Sequence, residues 1–289
     1  PRFFRSAFAR YDNQWLMELF TTLGVPLKVE RGQRVFPQSD RAHDIADALA
    51  AALAERGVEV LYKTRVKSLV EKQGRITAVQ CEHGRTISGD AFILASGGLS
   101  YPLTGSTGDG YALAQQVGHT VTPLQPSLAP IQVEQAWVQE VAGLSLKNVC
   151  LRAIVAGKQV FCEQGEMLFT HFGVSGPMVL SASSFASRAI QAHPLDMVID
   201  LKPALTPEQL DARILRDFDE AKNKRFKNSL NRLFPAKMIP VMVARSGIDP
   251  EKKINEVTAR ERERLVEATK AFHVTLTGLR GYNEAIITQ

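Results

Sequence analysis

Ala91-Phe92-Ile93-Leu94-Ala95-Ser96-Gly97-Gly98 leads, six residues later, into Gly105-Ser106-Thr107-Gly108-Asp109-Gly110-Tyr111. An apolar run that ends in small residues and paired glycines reads as a buried parallel strand delivering backbone to a bulky ligand. The second glycine-rich turn then opens a helix, with Leu113 and Val117 on its apolar side and Gly118 ending it. Backbone N–H groups from Thr107 to Tyr111 therefore gather where the helix dipole favours phosphate. Gly-Asp-Gly is equally an ordinary tight turn with a helix cap, and the local sequence leaves both readings open.

Working outward, residues 1–37 give a short helix over 13–23, a strand at 27–30 and an extended piece ending at Pro37. Ser39 or Asp40 is placed to cap the next helix, where Ile45, Leu49 and Leu53 form an i, i+4, i+8 stripe and Gly57 sits past the end. Val58–Tyr62 then reads as a strand, a helix-to-strand step typical of α/β architecture. Three short strands follow over 64–71, 75–80 and 86–88, separated by Gln73-Gly74 and His83-Gly84 turns. Phe92–Ala95 is the next predicted strand.

Pro123, Pro126 and Pro130 mark a linker. Beyond it a hairpin is predicted across Ala156-Gly157, with strands at 167–169 and 198–201 and a helix opening at Ser175-Gly176-Pro177. Thr206-Pro207-Glu208-Gln209 and Thr258-Ala259-Arg260-Glu261 both carry capping-box spacing within a mainly helical stretch from 206 to 271. Strands return at 274–277 and 285–288. This divides the chain into residues 1–124 as a nucleotide-binding unit including the 64–88 meander, 125–204 as an inserted barrel, 205–272 as a helical insert, and 273–289 as a return to the barrel and first unit.

Composition narrows the function classes. The 289 residues contain 35 basic and 30 acidic side chains, a formal charge of +5. The densest basic block, Lys222, Lys224, Arg225, Lys227, Arg232 and Lys237, reads as a solvated helix face, and runs such as Arg260-Glu261-Arg262-Glu263-Arg264 argue against a phosphate-binding stripe. No nucleic-acid partner is expected. Nor is a membrane, since no window approaches the roughly 18 apolar residues of a spanning helix. Cys81, Cys150 and Cys162 are far apart in sequence without a CxxC pair, which fits reduced thiols in a cytoplasm and small buried side chains.

Gly108-Asp109-Gly110 begins a GxGxxG, but Leu113 stands where its third glycine belongs, and no P-loop occurs. The six histidines show no metal-ligand spacing, so no metal is expected. His171, before Phe172-Gly173, is a candidate for a polar site, with a core or turn histidine as the plain alternative. Ser175-Gly176-Pro177 is either a second anion site or merely a helix start. Arg31 and Arg34 offer guanidinium groups to an anionic substrate, and a surface turn explains them as well.

Arg31–Pro37, Ala91–Tyr111, the run Gly165-Glu166-Met167-Leu168-Phe169-Thr170-His171-Phe172-Gly173-Val174-Ser175-Gly176-Pro177, and Thr277-Gly278-Leu279-Arg280-Gly281-Tyr282-Asn283-Glu284-Ala285-Ile286 together resemble one family. It is that of the bacterial YhiN/BaiN-type flavoproteins, also described as aminoacetone-oxidase-like FAD-binding enzymes. The resemblance covers the whole chain. It implies an α/β fold: a partial Rossmann-like FAD domain of the glutathione-reductase type, with an inserted β-barrel and a small helical domain. It also implies an FAD-dependent oxidoreductase of the cytoplasm, passing a hydride between flavin and a small organic substrate, with oxygen or NAD(P)H in the second half-reaction. A flavin-fold protein without catalysis is the alternative.

By that resemblance Val66 approaches the adenine end of FAD, Ala95, Ser96, Gly97 and Gly98 lie against the nucleotide, and Thr107, Gly108, Asp109 and Gly110 are nearby. His171, Arg34 and Tyr101 are the candidates on the substrate side. The family's GxGxxG and its flavin-contacting segment would precede Pro1 and follow Gln289. The chain is therefore expected to be an internal piece of a larger protein, and inactive by itself.

Overall fold

The computed structural model describes residues 2–30 and 33–289. Two compact units emerge, one of residues 1–67 with 79–87, the other of 68–78 with 88–289. In the first, α1 (Arg5–Arg10) and α2 (Asn13–Thr22) precede an antiparallel pair, β1 (Leu27–Glu30) and β2 (Arg34–Pro37), and then α3 (Ala42–Glu55). Asp12 caps α2 by accepting the Trp15 N–H at 2.8 Å. The cap predicted for α3 is corrected: Arg41 occupies that position and makes no side-chain cap bond, because Ser39 Oγ has turned to accept from the Arg41 amide and donate to Asp44. Gly57 closes the helix at φ +67°, donating to the Ala54 carbonyl.

The meander forms as expected. β3 (Val66–Lys72), β4 (Arg75–Cys81) and β5 (Thr86–Ser88) lie side by side in that order. Two strands expected beside it do not form. Residues 58–62 and 92–95 are irregular, and Val60, Tyr62, Ile93 and Leu94 are exposed, Ile93 almost completely. A central parallel strand is held by neighbours on both edges. Among the described residues these two segments have none, so apolar composition alone does not make them strands.

The second unit holds the main core. After α4 (Asp109–Gln116) and the short β6 (Pro126–Ser127), six strands close a barrel: β7 (Ile131–Val133), β8 (Ser145–Val155), β9 (Lys158–Thr170), β10 (Gly173–Ser175), β11 (Leu195–Asp200) and β12 (Phe272–Leu279). Their order around the barrel is β10-β7-β12-β11-β8-β9, antiparallel throughout. Leu151 and Ala153 point inward while Cys150 and Arg152 point outward, the period-2 alternation of a strand with one buried face. The predicted strand at 167–169 is the far half of a single 13-residue β9.

Helix α5 (Pro177–Ala192) packs on β9 and β12 through Met178, Ala182, Ala186 and Ile190, all buried at i+4 spacing. Gly176 precedes it at φ +97°, and a Cβ there would press on the Met167 backbone. The helical insert carries α6 (Pro207–Glu220), α7 (Ile239–Ser246) and α8 (Ala259–Lys270). Both capping boxes form, with Thr206 and Thr258 accepting from Gln209 and Glu261 amides and receiving their side chains in return. Leu210, Ile214 and Phe218 on α6, with Met242 and Leu265, continue the barrel core into this insert. The chain ends in β13 (Ile287–Thr288), paired with β6.

Candidate functional site

The glycine pair sits in the second unit, where loop, helix start and last strand converge. Thr288 Oγ1 on β13 accepts the Leu99 amide at 2.8 Å and lies 3.2 Å from Ser100 Oγ. A Cβ on Gly98 would stand 2.6 Å from that same Thr288 Oγ1 and 3.2 Å from Tyr111 Oη. One on Gly110 would collide with the Ser96 side chain. These glycines thus bring backbone against backbone: the Gly108 amide donates to the Gly98 carbonyl at 3.1 Å, locking the loop onto the start of α4. Gly108, in a left-handed conformation, caps α4 without a side chain.

Ala95, Ser96, Gly97 and Thr107 remain exposed on this edge. A helix start without a side-chain cap, fronted by small exposed residues, leaves backbone N–H groups open to an anion. Ser96, Gly97 and Thr107 are exposed there, and Asp109 places a carboxylate in the first turn of α4. Ala95, Gly98, Gly108, Asp109 and Gly110 build the same loop and helix start. Val66 opens β3 in the other unit.

The segment after β12 lies along this loop, and sequence reasoning gave its residues no role. The Tyr101 amide donates to the Tyr282 carbonyl at 3.0 Å. Burial pushes the Tyr282 hydroxyl's pKa up, and nearby Tyr111 pushes it further, so it stays a neutral donor. Arg280 donates its amide to the Pro130 carbonyl and pairs with Glu284 at 2.6 Å. Its guanidinium lies 4.4 Å above the Phe172 ring, which His171 meets edge-on at 5.0 Å between centroids. The i, i+4 spacing of Arg280 and Glu284, with tyrosine between them, was the available signal.

The three substrate-side candidates lie on different elements. Tyr101 lies beside the glycine loop, about half exposed, at φ +53° and ψ +61°. A left-handed tyrosine is uncommon and stores local strain. His171 is exposed on the β9–β10 turn, linked to Arg280 through Phe172. Arg34 begins β2 in the first unit. Arg31 falls outside the described residues. Among those described, no group of three or more His, Cys, Asp or Glu is arranged to hold a metal.

The second unit thus combines a glycine-rich loop and helix start with a closed antiparallel barrel and a helical insert. Residues 1–192 match the family model of the HI0933-like protein Rossmann domain, and residues 125–287 match that of the HI0933-like protein barrel and H2TH domain. The chain belongs to the HI0933-like family, the flavoprotein family that its motifs resemble. It is 27% identical over 288 residues to the 3-dehydro-bile acid delta(4,6)-reductase of Clostridium scindens, covering 99% of this chain and 69% of that protein. It is also 27% identical over 293 residues to the ribosomal RNA dihydrouridine synthase of Haemophilus influenzae, and 25% identical over 289 residues to that of Escherichia coli. Those alignments cover all of this chain and 69% and 68% of the relatives.

Proposed function

We propose that this protein is an FAD-dependent oxidoreductase that saturates a carbon–carbon double bond conjugated to a carbonyl, in a small organic substrate. The observation that carries the reading is the glycine loop at 96–98 held by Thr288 against the helix start and alongside the Arg280–Glu284 segment. The relatives' names support the chemistry. A Δ4,6-reductase of a 3-dehydro compound and a dihydrouridine synthase both act on a double bond in conjugation with a ring carbonyl. When bound, the flavin supplies two-electron redox chemistry, and the protein supplies orientation and electrostatics. Tyr101 and Tyr282, both near the loop, orient the carbonyl by hydrogen bonding, and Tyr101 is the more exposed of the two, placed to pass on a proton. Arg280, steadied by Glu284 and Phe172, supplies fixed positive charge at the same end of the barrel. NAD(P)H is the proposed electron donor.

A second reading, with a uridine of ribosomal RNA as substrate, is favoured by the names of two relatives. Against it, much of the basic block is already neutralised: Arg225 and Lys227 pair with Glu251, Arg232 with Glu220, and Lys222 with Asp219. Titration of the purified full-length gene product with FAD, followed by flavin absorbance and fluorescence, tests the cofactor. Saturable binding supports the reading; no binding favours a flavin-fold protein without catalysis. Steeply salt-dependent RNA binding would move the substrate to the second reading.

A further inference from the structure

The outer face of the barrel carries a thiol pair that the sequence conceals. Cys150 on β8 and Cys162 on β9 are twelve positions apart, yet their Sγ atoms lie 3.7 Å from each other. The register explains it. Cys150 is opposite Gln164 and Cys162 is opposite Arg152, so the cysteines are diagonal neighbours on one face. This corrects the expectation of separated, buried thiols, which holds only for Cys81: Cys162 is exposed and Cys150 is partly so. We propose that Cys150 and Cys162 form a dithiol site that reacts with small disulfides such as oxidised glutathione and closes to an intramolecular disulfide.

Bonding distance for two sulfurs is about 2.05 Å, so the pair must approach by less than ~2 Å. The fold leaves room for that. Residues 158–164 of β9 have β8 as their one strand neighbour among the described residues, because β10 pairs with 168–170 alone. The ladder is already irregular between Ala153 and Ile154. Cys162, more exposed, attacks first: its thiolate displaces one glutathione thiolate and forms a mixed disulfide. Cys150 then loses its proton and attacks Cys162 Sγ, displacing the second glutathione. Two protein thiols and one glutathione disulfide become one protein disulfide and two glutathiones, so atoms and electrons balance. Burial raises the Cys150 thiol to about 11, Cys162 and Asp200 add to the rise, and Arg152 opposes it. That suits Cys150 to the second, intramolecular step, where proximity compensates for a small thiolate fraction.

The test is intact-mass spectrometry of the reduced protein after incubation with oxidised glutathione. Wild type and Cys81→Ser are expected to lose the mass of two hydrogens and regain it with dithiothreitol. Cys150→Ser is expected to stop at one glutathionyl adduct, mapped to Cys162 by peptide digestion. Wild type that accumulates a stable glutathionyl adduct, or does not react, overturns the proposal, as does a disulfide mapped to Cys81.

Discussion

Replacing Thr288 by valine keeps the side chain's shape and removes the oxygen that accepts the Leu99 amide at 2.8 Å and meets Ser100 Oγ at 3.2 Å. Leu99 and Thr288 are half-buried and Ser100 is buried, so water replaces the lost acceptor only in part. An unsatisfied buried donor costs about 1–3 kcal/mol, and half-burial places Thr288→Val near the lower part, about 1–2 kcal/mol. The same oxygen holds the glycine loop in place. If FAD binds only to the loop so held, lowering its population raises the apparent Kd by the same factor, up to about tenfold for ~1.4 kcal/mol. Gly98→Ala attacks the same contact sterically, since its Cβ would meet Thr288 Oγ1 at 2.6 Å. The assay is denaturant unfolding beside FAD titration by flavin fluorescence. Both variants are expected to lose affinity and stability together. A Thr288→Val protein with reduced stability and unaltered FAD affinity would refute the assignment of this loop to the cofactor.

Phe272, fully buried in the barrel, is expected to cost about 3–5 kcal/mol on substitution by alanine, measured as a shift in the urea midpoint at constant slope. Thr206→Ala removes the cap of α6 and should cost about 1 kcal/mol by thermal melting, with Thr206→Ser close to wild type. Glu261 is held at about 2 by the Lys252 ammonium and then by the Thr258 amide. A carboxylate so depressed stabilises the fold above its ordinary 4.5, and that contribution fades as pH falls from 4.5 towards 2. Acid unfolding curves should show this loss in wild type and a flatter profile over that window in Glu261→Gln. Arg245, whose guanidinium lies 4.2 Å over Phe272 and 5.3 Å from Trp137, donates to the His273 carbonyl. Arg245→Met should lose about 1–2 kcal/mol that added salt does not recover, because the partners are rings and a carbonyl.

Local signals in the chain were read best where the physics is local. The capping boxes at Thr206 and Thr258, the Gln73-Gly74 turn and the first strand at Leu27–Glu30 need only neighbours a few residues away, and all are present. Residues 58–62 and 92–95 carry the apolar composition of core strands, but a strand needs a partner edge, which composition does not encode. The site was half legible for the same reason. Glycine spacing pointed to the loop at 97–98 and the helix start at 108–110. The residues that hold it, Thr288 and Tyr282, come from almost two hundred positions away, by a pairing of β13 with β6 that no periodicity announces. Cys150 and Cys162 met through strand register, which depends on the Ala156-Gly157 turn and on the bulges beside it.

The central claim is reduction of a conjugated double bond with bound flavin. Its most direct test is to incubate the purified full-length gene product with FAD, NADPH and a 3-keto-4,6-diene steroid, and to follow the product by mass spectrometry and loss of the diene absorbance. The account predicts a product heavier by two hydrogens, formed only when FAD is present and diminished by Tyr101→Phe. Saturable FAD binding with the diene and a uridine-containing RNA both unchanged would contradict it.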